Sequence, residues 1–225
     1  MPWSDRVRTV EIEPSIYGAD FARLGEQLET LLRADCRVFH FDIGDGHFIE
    51  PITMGPIVLQ SIAPLIHSFE GMIDVHMMVD EPAKHFEAVA EAGGDSVTFH
   101  LEAVADAAAV AGEAREHGLL AGLAFNPETT PENAAAAADG VDFVLCMGIH
   151  PGYSGQPFRE ETFERVGRLR ELLPAEKPIQ VDGGVGPENI SELRARGATL
   201  FVAASAIFGR EDLPRAYRSL VEAAA

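Results

Sequence analysis

Basic residues are scarce in this sequence of 225 amino acids, which contains 17 Lys and Arg residues against 36 Asp and Glu residues. The formal net charge of −19 excludes the broad basic surface with which proteins bind nucleic acids or anionic membranes. An acidic protein that binds a small anion must therefore use backbone N–H groups or a metal ion. We expect neither a nucleic acid nor a membrane among the partners of this chain.

Cysteine is also rare, and long apolar runs are missing. The two cysteines, Cys36 and Cys146, lie in apolar stretches and are predicted to be small buried side chains, because a disulfide framework needs more of them in a chain of this size. Charged residues, His or Gly interrupt every apolar run well short of the ~20 residues that span a membrane. Residues 1–6 lack the apolar core of a signal peptide, which predicts a cytoplasmic protein.

Short apolar runs alternate with helical patterns along the whole chain. Residues 143–147 and 200–204 are apolar throughout, which is typical of strands covered on both faces in a parallel sheet. The predicted strands are Val10–Ile16, Val38–Ile43, Met72–Val79, Ser96–Leu101, Leu119–Phe125, Val141–Met147, Pro178–Val181 and Thr199–Ala204.

Several residues between these strands mark helix starts. Asp20 is a candidate N-cap for a helix whose apolar stripe begins at Phe21. Thr130 is a candidate cap before Pro131, and Pro187 fits the first turn of a later helix. The pattern therefore places a helix after each strand.

Eight strands and about as many helices in 225 residues, with no linker-like tract between them, predict one (β/α)8 TIM barrel. We assign residues 1–225 to this single domain, with residues 1–8 as a short N-terminal extension. A doubly wound sheet is the alternative. It is weakened because no predicted strand is followed by a Gly-x-Gly-x-x-Gly turn and a helix.

One polar or otherwise marked residue ends each predicted strand, and in such a barrel these ends meet at one mouth. The residues are Ser15, Asp42, His76, His100, Asn126, Met147, Asp182 and Ser205. His40 stands two residues before Asp42, so both side chains point to the same face of their strand, into the barrel.

Two imidazoles and two carboxylates of this mouth form a candidate N₂O₂ site for one divalent metal ion, such as Zn²⁺, Fe²⁺, Mn²⁺ or Co²⁺. The four candidate ligands are His40, Asp42, His76 and Asp182. The alternative interpretation is four polar residues that are each satisfied separately at the end of a strand.

Two glycine-rich or small-residue segments follow the seventh and eighth predicted strands, at residues 182–185 and 204–209. Backbone N–H groups in these two loops form the usual phosphate site of a (β/α)8 barrel. Such a site would let an acidic protein bind an anion without Lys or Arg.

Eight motifs occur along the chain in a characteristic order and spacing. They are Pro14-Ser15-Ile16, His40-Phe41-Asp42, Asp45-Gly46-His47-Phe48, Asp74-Val75-His76-Met77-Met78-Val79, Asn126-Pro127, Pro151-Gly152-Tyr153-Ser154-Gly155-Gln156, Val181-Asp182-Gly183-Gly184-Val185 and Ser205-Ala206-Ile207-Phe208. Together, from about Ile12 to Phe208, they resemble the ribulose-phosphate 3-epimerase family. The resemblance implies a barrel of the ribulose-phosphate-binding type.

The resemblance also implies a reaction, namely inversion at carbon 3 of a phosphorylated ketose. In the parent activity of the family D-ribulose 5-phosphate becomes D-xylulose 5-phosphate, a step of the pentose phosphate pathway. Removing a proton beside a carbonyl leaves an enediolate, which a metal ion stabilises as a Lewis acid. Epimerisation then needs a base on one face and an acid on the other. We assign Asp42 and Asp182 to these roles, with Asp42 as the base toward xylulose.

The same resemblance implies a set of substrate contacts. Residues 152–155 resemble a mobile loop that closes over the substrate, and residues near the seventh and eighth strands would bind its phosphate through backbone N–H groups. The implied contacts are Ser15, His76, Met78, Met147, Gly152, Tyr153, Ser154, Gly155, Gly183, Gly184, Ala204 and Ser205. A homo-oligomer is implied as well.

The sequence departs from the family pattern at the pocket. Gly44 stands where the family usually has a methionine, and Glu50-Pro51 and His150 replace the usual residues of two loops. Gly44 either enlarges the pocket or leaves space into which Met54 or Tyr17 can fold. The sugar is therefore open: a 3-epimerase for another ketose phosphate, such as a hexulose 6-phosphate, is the alternative enzyme, and a non-catalytic sugar-phosphate-binding barrel is the alternative of another class.

The six other histidines are predicted to be surface residues or separately satisfied ones rather than ligands. They are His47, His67, His85, His100, His117 and His150. Of these, His47 and His150 are expected near the mouth.

Overall fold

The computed structural model describes residues 7–153 and 155–225. Within them the strands are β1 Glu11–Pro14, β2 Val38–Gly44, β3 Met72–Met78, β4 Ser96–His100, β5 Leu120–Phe125, β6 Phe143–Met147, β7 Ile179–Asp182 and β8 Leu200–Ala203. All pair in parallel, and their order β1-β8-β7-β6-β5-β4-β3-β2 follows the chain around a ring. This order confirms the predicted (β/α)8 barrel and excludes the doubly wound sheet. Every predicted strand end lies within two residues of the observed one.

The ring closes between β1 and β2, where an isolated parallel bridge joins Ser15 to His40. The other seven junctions of the described strands are continuous ladders. In the β2–β3 ladder, Asp42 is paired directly with His76. The ends of these strands therefore bring candidate site residues to one mouth of the barrel.

The helices surround the barrel. Among the described residues they are α1 Leu24–Arg33, α2 Pro56–Ser68, α3 Phe86–Glu91, α4 Ala107–Glu116, α5 Pro131–Ala136, α6 Glu161–Leu172, α7 Ile190–Ala195, α8 Ser205–Phe208 and α9 Leu213–Ala224. Phe39 and Phe41 of β2 are fully buried in the same apolar cluster as Leu28 and Leu31 of α1. The alternating residues of β2 are thereby left to the interior of the barrel.

One helix prediction is wrong and one is partly right. Pro187 does not start a helix, since α7 begins at Ile190. The intervening turn is held by Asn189, whose side-chain oxygen accepts a hydrogen bond from the Gly186 N–H at 3.0 Å. Asp20 is an N-cap as predicted, but it caps a 3-10 helix over Phe21–Arg23 that precedes α1.

Of the other local predictions, the one for Phe21 is wrong, whereas those for Thr130 and the two cysteines are confirmed. Phe21 is 48% exposed and so lies outside the predicted apolar stripe. Thr130 caps α5 by accepting a hydrogen bond from the Asn133 N–H, as predicted. Cys36 and Cys146 are buried and unpaired, also as predicted. The predicted extension at residues 1–8 lies almost wholly outside the described residues, and no helix in the described part of the chain is long and apolar enough to cross a membrane.

Candidate active site

The four predicted metal ligands meet at the C-terminal mouth of the barrel, each with one ligand atom within 4.8 Å of the others. β2 supplies His40 and Asp42, because residues two apart in a strand face the same side. His76 comes from β3, and Asp182 ends β7. His40, Asp42 and His76 are buried, whereas the Asp182 side chain is 17% exposed and reaches the opening.

Five of the six distances between these ligand atoms are close to the edges of a tetrahedral metal site. His40 Nε2 and His76 Nδ1 are 3.2 Å apart. His40 Nε2 lies 3.5 Å from Asp42 Oδ1 and 3.7 Å from Asp182 Oδ2, and His76 Nδ1 lies 3.4 Å from each of these oxygens. A tetrahedron with ligands about 2.0–2.1 Å from its centre has edges of roughly 3.3–3.4 Å. The four side chains therefore fit one divalent ion with little movement.

The charges within the cluster stabilise one another. Burial alone would lower the pKa of His40, but the carboxylates of Asp42 and Asp74 raise it well above its ordinary value. Burial opposes ionisation of Asp42, yet the His40 and His76 imidazoles hold its pKa below the ordinary value. Without an ion, protons on the imidazoles balance the carboxylates. A bound divalent cation would replace those protons.

A further buried acid, Asp74, lies behind His40. Its Oδ2 is 3.1 Å from His40 Nδ1. Asp74 also accepts hydrogen bonds from Ser96 Oγ at 2.7 Å, Thr98 Oγ1 at 3.0 Å and Gln180 Nε2 at 3.0 Å. A carboxylate at Nδ1 keeps the proton on that nitrogen and turns the lone pair of Nε2 toward the ligand cluster.

Glu13 completes this buried network below the mouth. It forms a second group of three potential ligands with His40 and Asp74. Gln180 donates one hydrogen bond to Glu13 and one to Asp74, while His40 Nδ1 already faces Asp74. Glu13 Oε2 and Asp74 Oδ2 thus already accept hydrogen bonds, while Glu13 Oε1 has no partner among the described residues, and burial raises the pKa of Glu13 well above its ordinary value. We interpret this group as a hydrogen-bond network that supports His40.

One further residue at the mouth, His100, contacts the ligand cluster, and the sequence analysis did not predict this contact. His100, at the end of β4, is fully buried with its Nε2 2.8 Å from His76 Nε2. Burial lowers the pKa of His100 to about 4, so its ring is neutral at neutral pH. The position of His100 at the end of a predicted strand was the sequence feature that could have indicated this contact. His100 lies outside the group of four potential ligands, in keeping with the expectation that it is a satisfied residue rather than a ligand, but its contact with His76 was not predicted.

A cavity that is partly open to solvent lies beside the cluster. Asp42 and Asp182 line it together with most of the predicted substrate contacts, which are Ser15, Met78, Met147, Gly152, Tyr153, Gly155, Gly183, Gly184, Ala204 and Ser205. His76 lies in the ligand cluster rather than in the cavity wall. Ser154 lies outside the described residues.

Ser15 is oriented by the carboxylate it was predicted to accompany. Its hydroxyl donates a hydrogen bond to Asp42 Oδ2 at 2.7 Å. The other oxygen, Asp42 Oδ1, faces the two imidazoles. Asp42 is therefore held by both oxygens, which fixes its position at the edge of the cavity.

Gly183 and Gly184 follow β7 with φ angles of +107° and +69°, in the left-handed region that favours glycine. A side chain at Gly183 would collide with Ile149, and one at Gly184 would approach Phe158 to 2.9 Å. Both positions therefore require glycine, and the backbone is left bare where the loop borders the cavity.

The space beside Gly44 is already filled. A Cβ at Gly44 would collide with Ile49 Cδ1 and lie 3.0 Å from the Pro51 carbonyl oxygen. Ile49 is only 5% exposed and also lies beside Gly152. Ile49 thus fills the space beside Gly44, while Tyr17, one of the two predicted residues, lines the cavity.

The other departures lie where two loops meet over the mouth. The Tyr153 hydroxyl donates a hydrogen bond to Glu50 Oε2 at 3.2 Å, which joins the loop after β6 to the loop after β2. His150 is half exposed and lies 3.4 Å from Glu128 and 3.0 Å from Arg159. His150 therefore lies at the outer edge of the site.

The closed ring of parallel strands, with its ligand cluster and cavity at their C-terminal ends, defines a (β/α)8-barrel enzyme. The sequence model of the ribulose-phosphate 3-epimerase family matches residues 11–208. The chain belongs to that family, which confirms the predicted resemblance and the prediction of an isomerase.

Individual relatives agree over nearly the full length. The ribulose-phosphate 3-epimerases of Serratia marcescens and Escherichia coli strain K12 are each 39% identical over 89% of this chain, covering 96% and 90% of their own lengths. The solved structure of a 3-hexulose-6-phosphate synthase superposes with a TM-score of 0.69 at 18% identity, covering 97% of this chain and 100% of its own. That likeness supports the barrel fold alone.

Proposed function

We propose that this chain catalyses the interconversion of D-ribulose 5-phosphate and D-xylulose 5-phosphate by two-aspartate proton transfer. The observation that carries the proposal is the pair Asp42 and Asp182, whose carboxylates border one cavity and face the same two imidazole nitrogens. Family membership supplies the substrate. A protein that only binds a sugar phosphate has no use for such a pair of carboxylates.

In the proposed reaction Asp42 removes the proton from carbon 3 of the pentulose, and the bond electrons pass into the adjacent carbonyl to give an enediolate. Asp182, protonated at the start, delivers its proton to the opposite face of carbon 3. Carbon 3 is inverted, and the starting state returns when Asp42 releases its proton to solvent and Asp182 takes one up. In the reverse direction the two aspartates exchange roles. Because both belong to one coupled cluster, the pair rather than either residue would titrate.

The ligand cluster would hold one divalent ion through His40, Asp42, His76 and Asp182. When bound, that ion supplies Lewis-acid stabilisation of the negative charge that proton removal leaves on the substrate. Ser15 restrains the second oxygen of Asp42. These residues would keep Asp42 aimed at carbon 3.

We place the substrate phosphate at the bare backbone of Gly183 and Gly184 after β7, together with Ala204 and Ser205 after the neighbouring strand β8. The support is that all four line the cavity and that the chain is strongly acidic. Residues 152–155 would close over the substrate and exclude water from the enediolate. Tyr153, held by Glu50, would anchor the loop in the closed position.

Solvent-isotope exchange tests the proposal most directly. In D₂O the wild-type protein is expected to convert D-ribulose 5-phosphate into D-xylulose 5-phosphate that carries deuterium on carbon 3, because the proton that Asp182 delivers comes from solvent. Nuclear magnetic resonance of the recovered sugar measures the incorporation, and the Asp42→Asn/Asp182→Asn double variant serves as the inactive control. No incorporation would favour the non-catalytic barrel.

Because Ile49 fills the space beside Gly44, the absence of a methionine opens no extra room at this position. We therefore expect Gly44→Met to change kcat/KM for D-ribulose 5-phosphate by less than the ~10–200-fold that apolar pocket contacts are worth, since Ile49 already occupies part of that space. The loss that remains should be relieved by adding Ile49→Ala, which removes the collision. Steady-state kinetics on both sugars measure the effect.

Gly25→Met is the matched control, because a Cβ at Gly25 meets no atom within 4 Å. If Gly44→Met instead gains strongly on the pentulose phosphate while losing the hexulose phosphate, the larger ketose is the natural substrate.

Three further predictions accompany the proposal. A homo-oligomer is supported by family membership and by Ile52 and Ile57, which are 82% and 78% exposed. A cytoplasmic location and a single domain over residues 1–225 rest on the sequence.

A further inference from the structure

The ligand cluster continues outward from His76 along a row of polar groups. His76 Nε2 lies 2.8 Å from His100 Nε2. The two rings are 16° from parallel, and their centroids are 5.0 Å apart. Rings whose nitrogens are much closer than their centroids meet edge to edge, so this contact is an in-plane hydrogen bond rather than a face-to-face stack.

Such a contact between two imidazole nitrogens needs one N–H and one lone pair. His76 Nδ1 faces Asp42, Asp182 and His40, so its lone pair is required there for a metal ion. The proton of a neutral His76 must then lie on Nε2 and be donated to His100. His100 Nε2 is consequently an acceptor, and the proton of its neutral ring lies on Nδ1.

His100 Nδ1 in turn faces Glu102. Glu102 Oε2 is 3.4 Å away, which is not a hydrogen bond, and the buried Nδ1 has no hydrogen-bond partner among the described residues. The other oxygen, Glu102 Oε1, is fixed by hydrogen bonds from the Asn126 N–H at 2.9 Å and from the Thr129 hydroxyl. One oxygen is thus anchored to the loop after β5 while the other is turned toward the imidazole.

We propose that His100 and Glu102 are positioning residues that hold the proton of His76 on Nε2 and so keep its Nδ1 lone pair available to the metal. Asp74 performs the equivalent task for His40, but through one direct contact. In the row His76–His100–Glu102, a second imidazole lies between the ligand His76 and a carboxylate outside the barrel interior. This inference rests on the proposed metal centre, whose occupancy the same experiment measures.

Glu102→Gln provides a test because the amide can take only one orientation. The Asn126 N–H needs an acceptor, so the amide oxygen stays at the Oε1 position and the NH₂ group faces His100 Nδ1. His100 must then accept at Nδ1 and carry its proton on Nε2, directed at His76. That arrangement drives the His76 proton onto Nδ1, where the metal would bind.

We therefore expect Glu102→Gln to weaken binding of Zn²⁺ by about 10–100-fold, as loss of an outer-shell partner does, and Glu102→Ala to weaken it less. A merely structural role predicts the reverse, since Gln is the closer match in shape. His100→Gln keeps an acceptor for His76 and a donor for Glu102, so it should retain affinity, whereas His100→Leu should not.

The full-length chain of each variant is titrated with Zn²⁺ in competition with a chelator, and circular dichroism checks folding. The His76 tautomer is read from nitrogen-15 chemical shifts of the ring. Glu116→Gln, an exposed change at the end of α4, is the matched control.

Weaker binding in Glu102→Gln than in Glu102→Ala, with the His76 proton moved to Nδ1, supports the inference. If the wild type binds one ion and the two Glu102 variants bind it equally, the inference is overturned while the proposed function stands. If the wild type binds no divalent ion, the metal centre fails and the inference fails with it.

Discussion

Asp182→Asn is expected to lower kcat for epimerisation by at least the ~10²–10⁴-fold that one general acid or base supplies, and Asp42→Asn by a similar factor. An amide at either position can still face the imidazoles but can neither accept nor deliver the proton. Each aspartate also supplies a ligand atom to the cluster, so metal content must be measured beside turnover. Near-normal turnover in either metal-loaded variant would contradict the assignment.

Isotope exchange separates the two aspartates. Asp182→Asn should still exchange the carbon-3 proton of D-ribulose 5-phosphate, which Asp42 removes, and should lose exchange of D-xylulose 5-phosphate. Asp42→Asn should show the opposite pattern. Asp139→Asn, an exposed change away from the ligand cluster and the cavity lining, serves as the control and should behave as the wild type. Equal exchange of both sugars in the single variants would mean that one residue serves both faces.

Exhaustive chelation is expected to abolish epimerisation and leave the barrel folded, and one divalent ion per chain should restore the activity. The enediolate loses several kcal/mol of charge stabilisation without the ion. The fold should persist because imidazoles and carboxylates in the cluster can contact one another directly at 3.2–3.7 Å. Elemental analysis, circular dichroism and steady-state rates measure the three quantities.

The metal experiment has a matched pair of variants. His117→Ala alters an exposed residue at the end of α4 and should lose and regain activity like the wild type. His40→Ala removes a potential metal ligand, so this variant should not regain activity when one divalent ion per chain is added. A metal-free preparation with full activity would overturn the proposed role of the ion.

The barrel and the ligand cluster could be predicted because both follow from short-range patterns. Strands covered on both faces are apolar throughout, and the first polar residue after such a run marks its C-terminal end. His40 and Asp42 share a face through the two-residue period of a strand, and the barrel geometry brings His76 and Asp182 to the same mouth.

The contacts that the sequence did not reveal depend on where side chains lie in space. Nothing in the spacing of His76 and His100 shows that the two rings meet edge to edge. The Ile49 side chain fills the space beside Gly44 because the loop after β2 turns back toward its strand, and the sequence does not show this path. Pro187 was misassigned because the Asn189 side chain stabilises a turn that competes with a helical start.

The junction of β1 and β2, which we call the seam, is joined by the isolated bridge between Ser15 and His40. Seven ladders hold the other junctions of the described strands, so local opening of the barrel should be least costly here. His40 and Asp42 lie at the second strand of this seam, and Ser15 crosses it to hold Asp42. A ligand that binds only the closed arrangement stabilises the fold by mass action. Occupancy of the mouth and integrity of the ring are therefore thermodynamically linked, and amide hydrogens along the seam should exchange more slowly once the site is filled.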